Sequence, residues 1–146
     1  MPVKPQNFQN HVRFIPTYHL VLSLLLLANL GYWVLMSGRH GLSGLRLDGL
    51  IVAAALLLLF FHARQFALTV QDRVIRLEMR LRLERLLPPE LMARFGDLTP
   101  AQLVALRFAG DGELPDLVSR VLAGGFESTV DIKKAIRDWQ PDWLRA

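Results

Sequence analysis

The stretch TYHLVLSLLLLANLGYWVLMS, residues 17–37, decides the fold, because its 21 residues contain no Lys, Arg, Asp or Glu. At about 1.5 Å per residue a helix of that length reaches about 31 Å, the depth of a bilayer's hydrocarbon core. Tyr18 stands at one end and Tyr32 with Trp33 near the other, where rings with a polar edge favour the headgroup boundary. Two other readings compete. A buried helix of a soluble protein is one, and its length argues against it. A cleaved signal peptide is the other, since Lys4 and Arg13 precede the run, but signal peptides carry an apolar stretch of only about 7 to 15 residues.

Working outward, a second uncharged run covers residues 49–63 and is only 15 residues long before Arg64 interrupts it. If Arg64 extends its guanidinium toward the headgroups, Phe66, Ala67 and Leu68 lengthen the apolar stretch enough to span, with Phe60, Phe61 and Phe66 thickening that boundary. Gly49 and Ala53 are small residues four apart, which lets this helix approach the first closely, and Asn29 is placed to hydrogen-bond across the contact. Basic residues near span ends stay cytoplasmic. The connecting loop, residues 38–48, has Arg39 and Arg46, whereas the other side has Lys4, Arg13, Arg64, Arg73, Arg76, Arg80 and Arg82. Both termini are therefore expected in the cytoplasm.

Nothing from Arg64 to Leu87 breaks a helix, so the second span is expected to continue into water. Asp72 with Arg76, Glu78 with Arg82, and Arg80 with Glu84 are four apart and can pair on its surface. The apolar residues here fall on two opposed stripes: Val70, Val74, Leu77 and Leu81 on one side, Ile75, Met79, Leu83 and Leu86 on the other. Two stripes imply two contacts. One side is expected to hold the chain's own C-terminal domain, the other a second chain or the N-terminal segment.

Pro88 and Pro89 end that helix. Beyond them, Thr99 can cap a helix starting at Pro100, with Gln102 completing a capping box and Leu98 stapling to Leu103. Gly110 is expected to stop it. Pro115 starts another, with Leu117, Val118, Val121 and Leu122 on one face and Gly124 and Gly125 at its end. A third begins after Ser128 and sets Ile132, Ala135, Ile136 and Trp139 on one face, with Lys133, Lys134 and Arg137 on the other. Fifty-nine residues after Leu87 make a marginal core, which docking on the long helix would complete.

The expected architecture is thus all-α. Residues 1–16 form an interfacial segment, 17–37 the first transmembrane helix, 38–48 a loop, 49–87 the second helix with its cytoplasmic extension, and 88–146 a small helical domain. Charge is uneven along it: residues 1–63 carry four Lys or Arg against one acidic residue, and residues 64–146 carry thirteen against twelve. The near-neutral C-terminal part argues against a nucleic-acid partner, although Lys133, Lys134 and Arg137 could meet the phosphate of nucleic acid or of anionic lipid. The chain has no cysteine, which excludes disulfides, thiolate metal sites and a cysteine nucleophile. It also lacks a Walker loop, GxGxxG, HExxH and GxSxG, so no enzyme signature and no cofactor are expected.

His19 and His62 fall toward the same end of the two spans. Neutral imidazoles from neighbouring helices can ligate haem or a metal, and the competing reading is an interfacial histidine bonded to backbone or headgroup. Asn7, Asn10, His11 and Arg13 belong to a polar and aromatic leader able to bond lipid phosphates, the long helix or a partner. Taken together, PQNFQNHVRFIPTYH, FALTVQDRVIRLEMRLRLERLLP, LTPAQLVALRFAGDGELPDLV and IKKAIRDWQPD resemble a family of two-span bacterial membrane proteins labelled only as a domain of unknown function. The resemblance implies a bacterial inner-membrane protein and carries over no activity. The functional expectation is a membrane-anchored interaction module or accessory subunit with a protein partner or a homo-oligomeric state. A histidine-ligated redox or metal protein is the alternative.

Overall fold

The computed structural model describes residues 5–11 and 14–143, and every regular element among them is helical. A π-helical turn at Thr17–Leu22 leads into α1, Ser23–His40. The long α2 covers Gly44–Leu86. Four short helices follow: α3 (Pro89–Met92), α4 (Pro100–Leu106), α5 (Leu114–Leu122) and α6 (Thr129–Ala135). The chain divides into two compact units, Arg13–Ala67 on the one hand and Met1–Val12 with Leu68–Ala146 on the other. Lys4 and Arg13, counted above for orientation, lie outside the described residues.

The Arg13–Ala67 unit is an antiparallel hairpin. Both of its helices are long and apolar enough to cross a membrane, and the apolar window of the first has none of its residues buried. A core helix of a soluble protein hides most of that surface, so within this chain the first helix does not serve as a core helix. Gly49 and Ala53 are buried, as their small size suggested. A Cβ on Gly49 would come within 2.4 Å of the Trp33 ring, so the indole lies directly on the backbone of α2. At the other end Tyr18 stacks on Phe60 at 4.5 Å and its hydroxyl donates to the Phe60 carbonyl at 2.5 Å. Asn29, in contrast, makes no hydrogen bond to α2 among the described residues.

The loop expected over residues 38–48 is shorter than charge alone suggested. α1 runs to His40 and α2 starts at Gly44. Gly41 takes φ +71° to make the turn, and Arg46, already helical, donates to the carbonyls of His40 at 2.8 Å and Gly41 at 2.5 Å. Those carbonyls are left over at the end of α1, where a cation is favourable.

The other unit is built on the second half of α2. Ile75, Met79 and Leu83 enter one apolar core with Leu103, Leu106, Leu114, Leu117, Val118 and Ile132. Docking on the long helix therefore does complete the small domain. Thr99 and Gln102 form the reciprocal capping box at α4, Gly124 ends α5 at φ +75°, and Ser128 caps α6. The last helix departs from expectation: it stops at Ala135 and Ile136 is extended. The Glu113 carboxylate accepts from the backbone N–H of Arg137 and Asp138 at 3.0 Å each. Residues 138–140 then pair with 108–110, Gly110 donating to the Asp138 carbonyl at 2.8 Å and Gln140 to that of Phe108 at 2.7 Å. Those bonds replace the helical ones, so Ile136 and Trp139 leave the helix.

Candidate functional site

The second half of α2 carries the two stripes read from its sequence, and the fold treats them oppositely. Ile75, Met79 and Leu83 are 4, 2 and 0% exposed, and Leu86 packs partly buried against the same core. Val70, Val74, Leu77 and Leu81 are 61, 49, 60 and 56% exposed. Helical spacing puts those four within an arc of roughly 60° at about 100° per residue, so they form one continuous apolar line.

The charges beside this line do not pair as the spacing predicted. Arg80 and Glu84 do meet at 3.0 Å. Arg82, however, does not pair with Glu78. It turns to Asp111 at 2.6 Å and donates to the carbonyls of Arg107 at 3.1 Å and Ala109 at 2.6 Å. A guanidinium has five donors in a planar fork, and here it reaches two backbone carbonyls left at the end of α4 as well as a carboxylate. Glu78 is left without an ion pair among the described residues, as are Asp72, Arg73 and Arg76. Arg73, Arg76 and Arg80 line one wall of an open groove of about 520 Å³ whose other wall is Met92, Ala93, Phe95 and Gly96.

A second concentration of chemistry joins the two ends of the chain. Gln6 is buried, its amide donating to the Asp142 carbonyl at 3.1 Å while its carbonyl accepts from the Asp142 N–H at 2.9 Å. His11 stacks on Phe8 and meets Phe108 and Trp139 edge-on, each 5.7–5.8 Å away. Its Nδ1 lies 2.6 Å from the Phe8 carbonyl, which only accepts, so Nδ1 carries the proton. Nε2 is then the acceptor for the Lys133 ammonium at 3.2 Å. Phe108 and Trp139 stack at 4.6 Å, and Arg107 lies over the Phe108 ring and pairs with Asp142 at 3.2 Å. The aromatic, polar leader left lipid phosphates, the long helix or a partner open as its contact, and nothing in its pattern named the C-terminal tail.

The basic trio is dispersed by these contacts. Lys133 faces His11, Lys134 approaches Asp131 at 3.9 Å, and Arg137 stands beyond the end of α6. His19 is half-buried and engages its own segment: Nδ1 lies 3.1 Å from the Ile15 N–H and 3.0 Å from the Ile15 carbonyl, and the ring stacks on Phe14. His62 is exposed between Phe61 and Phe66. No hydrogen bond or ring contact joins the two imidazoles, and no group of three or more potential metal ligands gathers among the described residues.

Residues 1–146 match the model of a family described as a family of unknown function, DUF6526, and the chain belongs to that family. No curated protein and no solved structure matches it.

Proposed function

We propose that this family member is a membrane-anchored interaction module. Its hairpin crosses the cytoplasmic membrane of a bacterium, and the exposed stripe Val70, Val74, Leu77 and Leu81 is its contact surface. The stripe carries the reading: four large apolar side chains, each about half exposed or more, stand in line on a helix whose opposite face is already buried in the chain's own core. A contiguous exposed apolar line with charged flanks marks a surface that meets another molecule.

Membrane insertion is supported by two long apolar helices whose surface is almost wholly uncovered. A two-pass topology gains support from Gln6 and Asp142, whose paired hydrogen bonds tie the segment before the hairpin to the tail after it. An even number of crossings is the condition for such a contact. The excess of Arg on α2 beyond Arg64 supports a cytoplasmic location for that side.

The test is a pair of changes on the full-length protein in native membranes. Val74→Ser with Leu77→Ser should abolish assembly, read as oligomer size and co-purifying chains in mild detergent, while protease resistance of the C-terminal unit stays as in the parent. Unchanged assembly in that variant would remove the interaction reading. Reporter fusions at Gly41 and after Ala146 test the topology, which fails on a cytoplasmic signal at Gly41 or an external one at the C-terminus.

A further inference from the structure

We propose that the occupant of the stripe is a second copy of this chain, lying alongside in the same direction, with Arg73 of each copy facing the partner's Glu78. The inference rests on the reading of the stripe as an interaction surface and names what covers it. Val70, Val74, Leu77 and Leu81 are separated by four, three and four residues, the alternation that keeps a seam facing a like helix. The central Val74 and Leu77 occupy the two seam positions with a β-branched residue followed by Leu, the combination that favours two strands.

Charge then selects the partner and its direction. Arg73 and Arg80 flank the seam on one side, Glu78 and Arg85 on the other. In a same-direction pair the flanking residue before one seam position meets the opposite flank five residues later in the partner, which matches Arg73 with Glu78 twice by symmetry. Reversing one helix would bring Arg73 against Arg80 instead. Within the chain both members of the matched pair are left over: Arg73 has no ion pair among the described residues, and Glu78 lost its expected mate when Arg82 turned to Asp111. Arg80, which faces the partner's Arg85 in this arrangement, is already neutralised by Glu84 at 3.0 Å.

Two heptads are short for a helix pair free in water. Anchoring in one membrane changes the arithmetic, because both copies then share an orientation and a high local concentration that the contact need not supply. The same anchoring imposes the parallel direction that the charges select.

The chain has no cysteine, so single replacements report cleanly. Oxidation of full-length Val74→Cys or Leu77→Cys in membrane vesicles should yield disulfide-linked dimers, with Arg76→Cys, off the seam, giving roughly fivefold less or lower. In the Leu77→Cys background, Arg73→Glu alone and Glu78→Arg alone should each weaken dimer formation roughly five- to tenfold, and the two together should restore it. Equal crosslinking at Leu77→Cys and Arg76→Cys, or no rescue by the double charge swap, overturns the proposal. Absence of self-crosslinking, with a different polypeptide lost on Val74→Ser and Leu77→Ser, overturns self-pairing and leaves the interaction surface standing. Absence of both defeats the two readings together.

Discussion

Arg82 donates to Asp111 and to the carbonyls of Arg107 and Ala109, joining α2 to the loop between α4 and α5. Arg82→Ala is expected to cost about 1–3 kcal/mol, because it strands carbonyls that water reaches poorly. Arg82→Lys should recover little, since one ammonium cannot reproduce the planar fork; thermal unfolding in detergent measures both. Gly49 is a second sensitive position. Its missing side chain is what lets Trp33 lie on α2, and a Cβ there meets three ring atoms at 2.4–2.7 Å. Gly49→Ala should therefore destabilise the hairpin by roughly 1–3 kcal/mol as an overpacked contact, whereas Gly31→Ala, with nothing within 4 Å, should not. Gly49 was legible as a close-approach residue from its spacing to Ala53. Arg82 was not, because a spacing of four names an available partner and says nothing of the carbonyls that a tertiary fold brings nearer.

At the scale of the element, α2 is one helix with two differently employed faces. Met79→Ala or Leu83→Ala removes a side chain at most 2% exposed and is expected to cost about 2–5 kcal/mol. Leu77→Ala and Leu81→Ala should leave the unfolding of the isolated chain within about 0.5 kcal/mol, the usual range for surface positions. Equal sensitivity of the two faces in dilute detergent would contradict this division. Periodicity revealed both stripes because burial follows the helical repeat, but it is blind to which stripe the chain covers itself. α6 shows the converse. Ile136 and Trp139 continue the apolar spacing of Ile132 and Ala135, yet the helix ends because Glu113 and the backbone of 108–110 take the N–H groups that a further turn would have used. Glu113 lies more than twenty residues away in sequence, beyond the reach of any local pattern. Glu113→Ala should free the tail, seen as faster proteolysis after residue 136 with the α4 and α5 core still protected.

For the whole molecule, the decisive contact is between chain ends, since it links topology to packing. Residues 5–11 precede the hairpin and residues 133–142 follow it, yet Gln6 bonds Asp142 and His11 bonds Lys133. Hydropathy picked out the two long apolar helices and charge gave the proposed orientation, each from residues close in sequence. This contact joins positions more than 120 residues apart and draws on buried amide and aromatic groups with no spacing rule. It supplies a check on topology that is independent of basic-residue counting. In the cysteine-free chain, His11→Cys with Lys133→Cys should be joined within one molecule by a short bifunctional thiol reagent, because the two side chains meet at 3.2 Å between their nitrogens. On the proposed two-pass topology, Gly41→Cys with Lys133→Cys should not be joined in sealed vesicles, because a bilayer would then separate the turn from the tail. Gln6→Ala added to the first pair should lower its crosslinking by releasing the two bonds to Asp142, without changing which side of the membrane either end occupies. Efficient linkage of Gly41→Cys to Lys133→Cys, or none between His11→Cys and Lys133→Cys, would require the hairpin to lie on the membrane or the ends to part. The first outcome would overturn the two-pass topology even if charge counting still favoured it, and the second would remove the support that the contact of the chain ends lends to it.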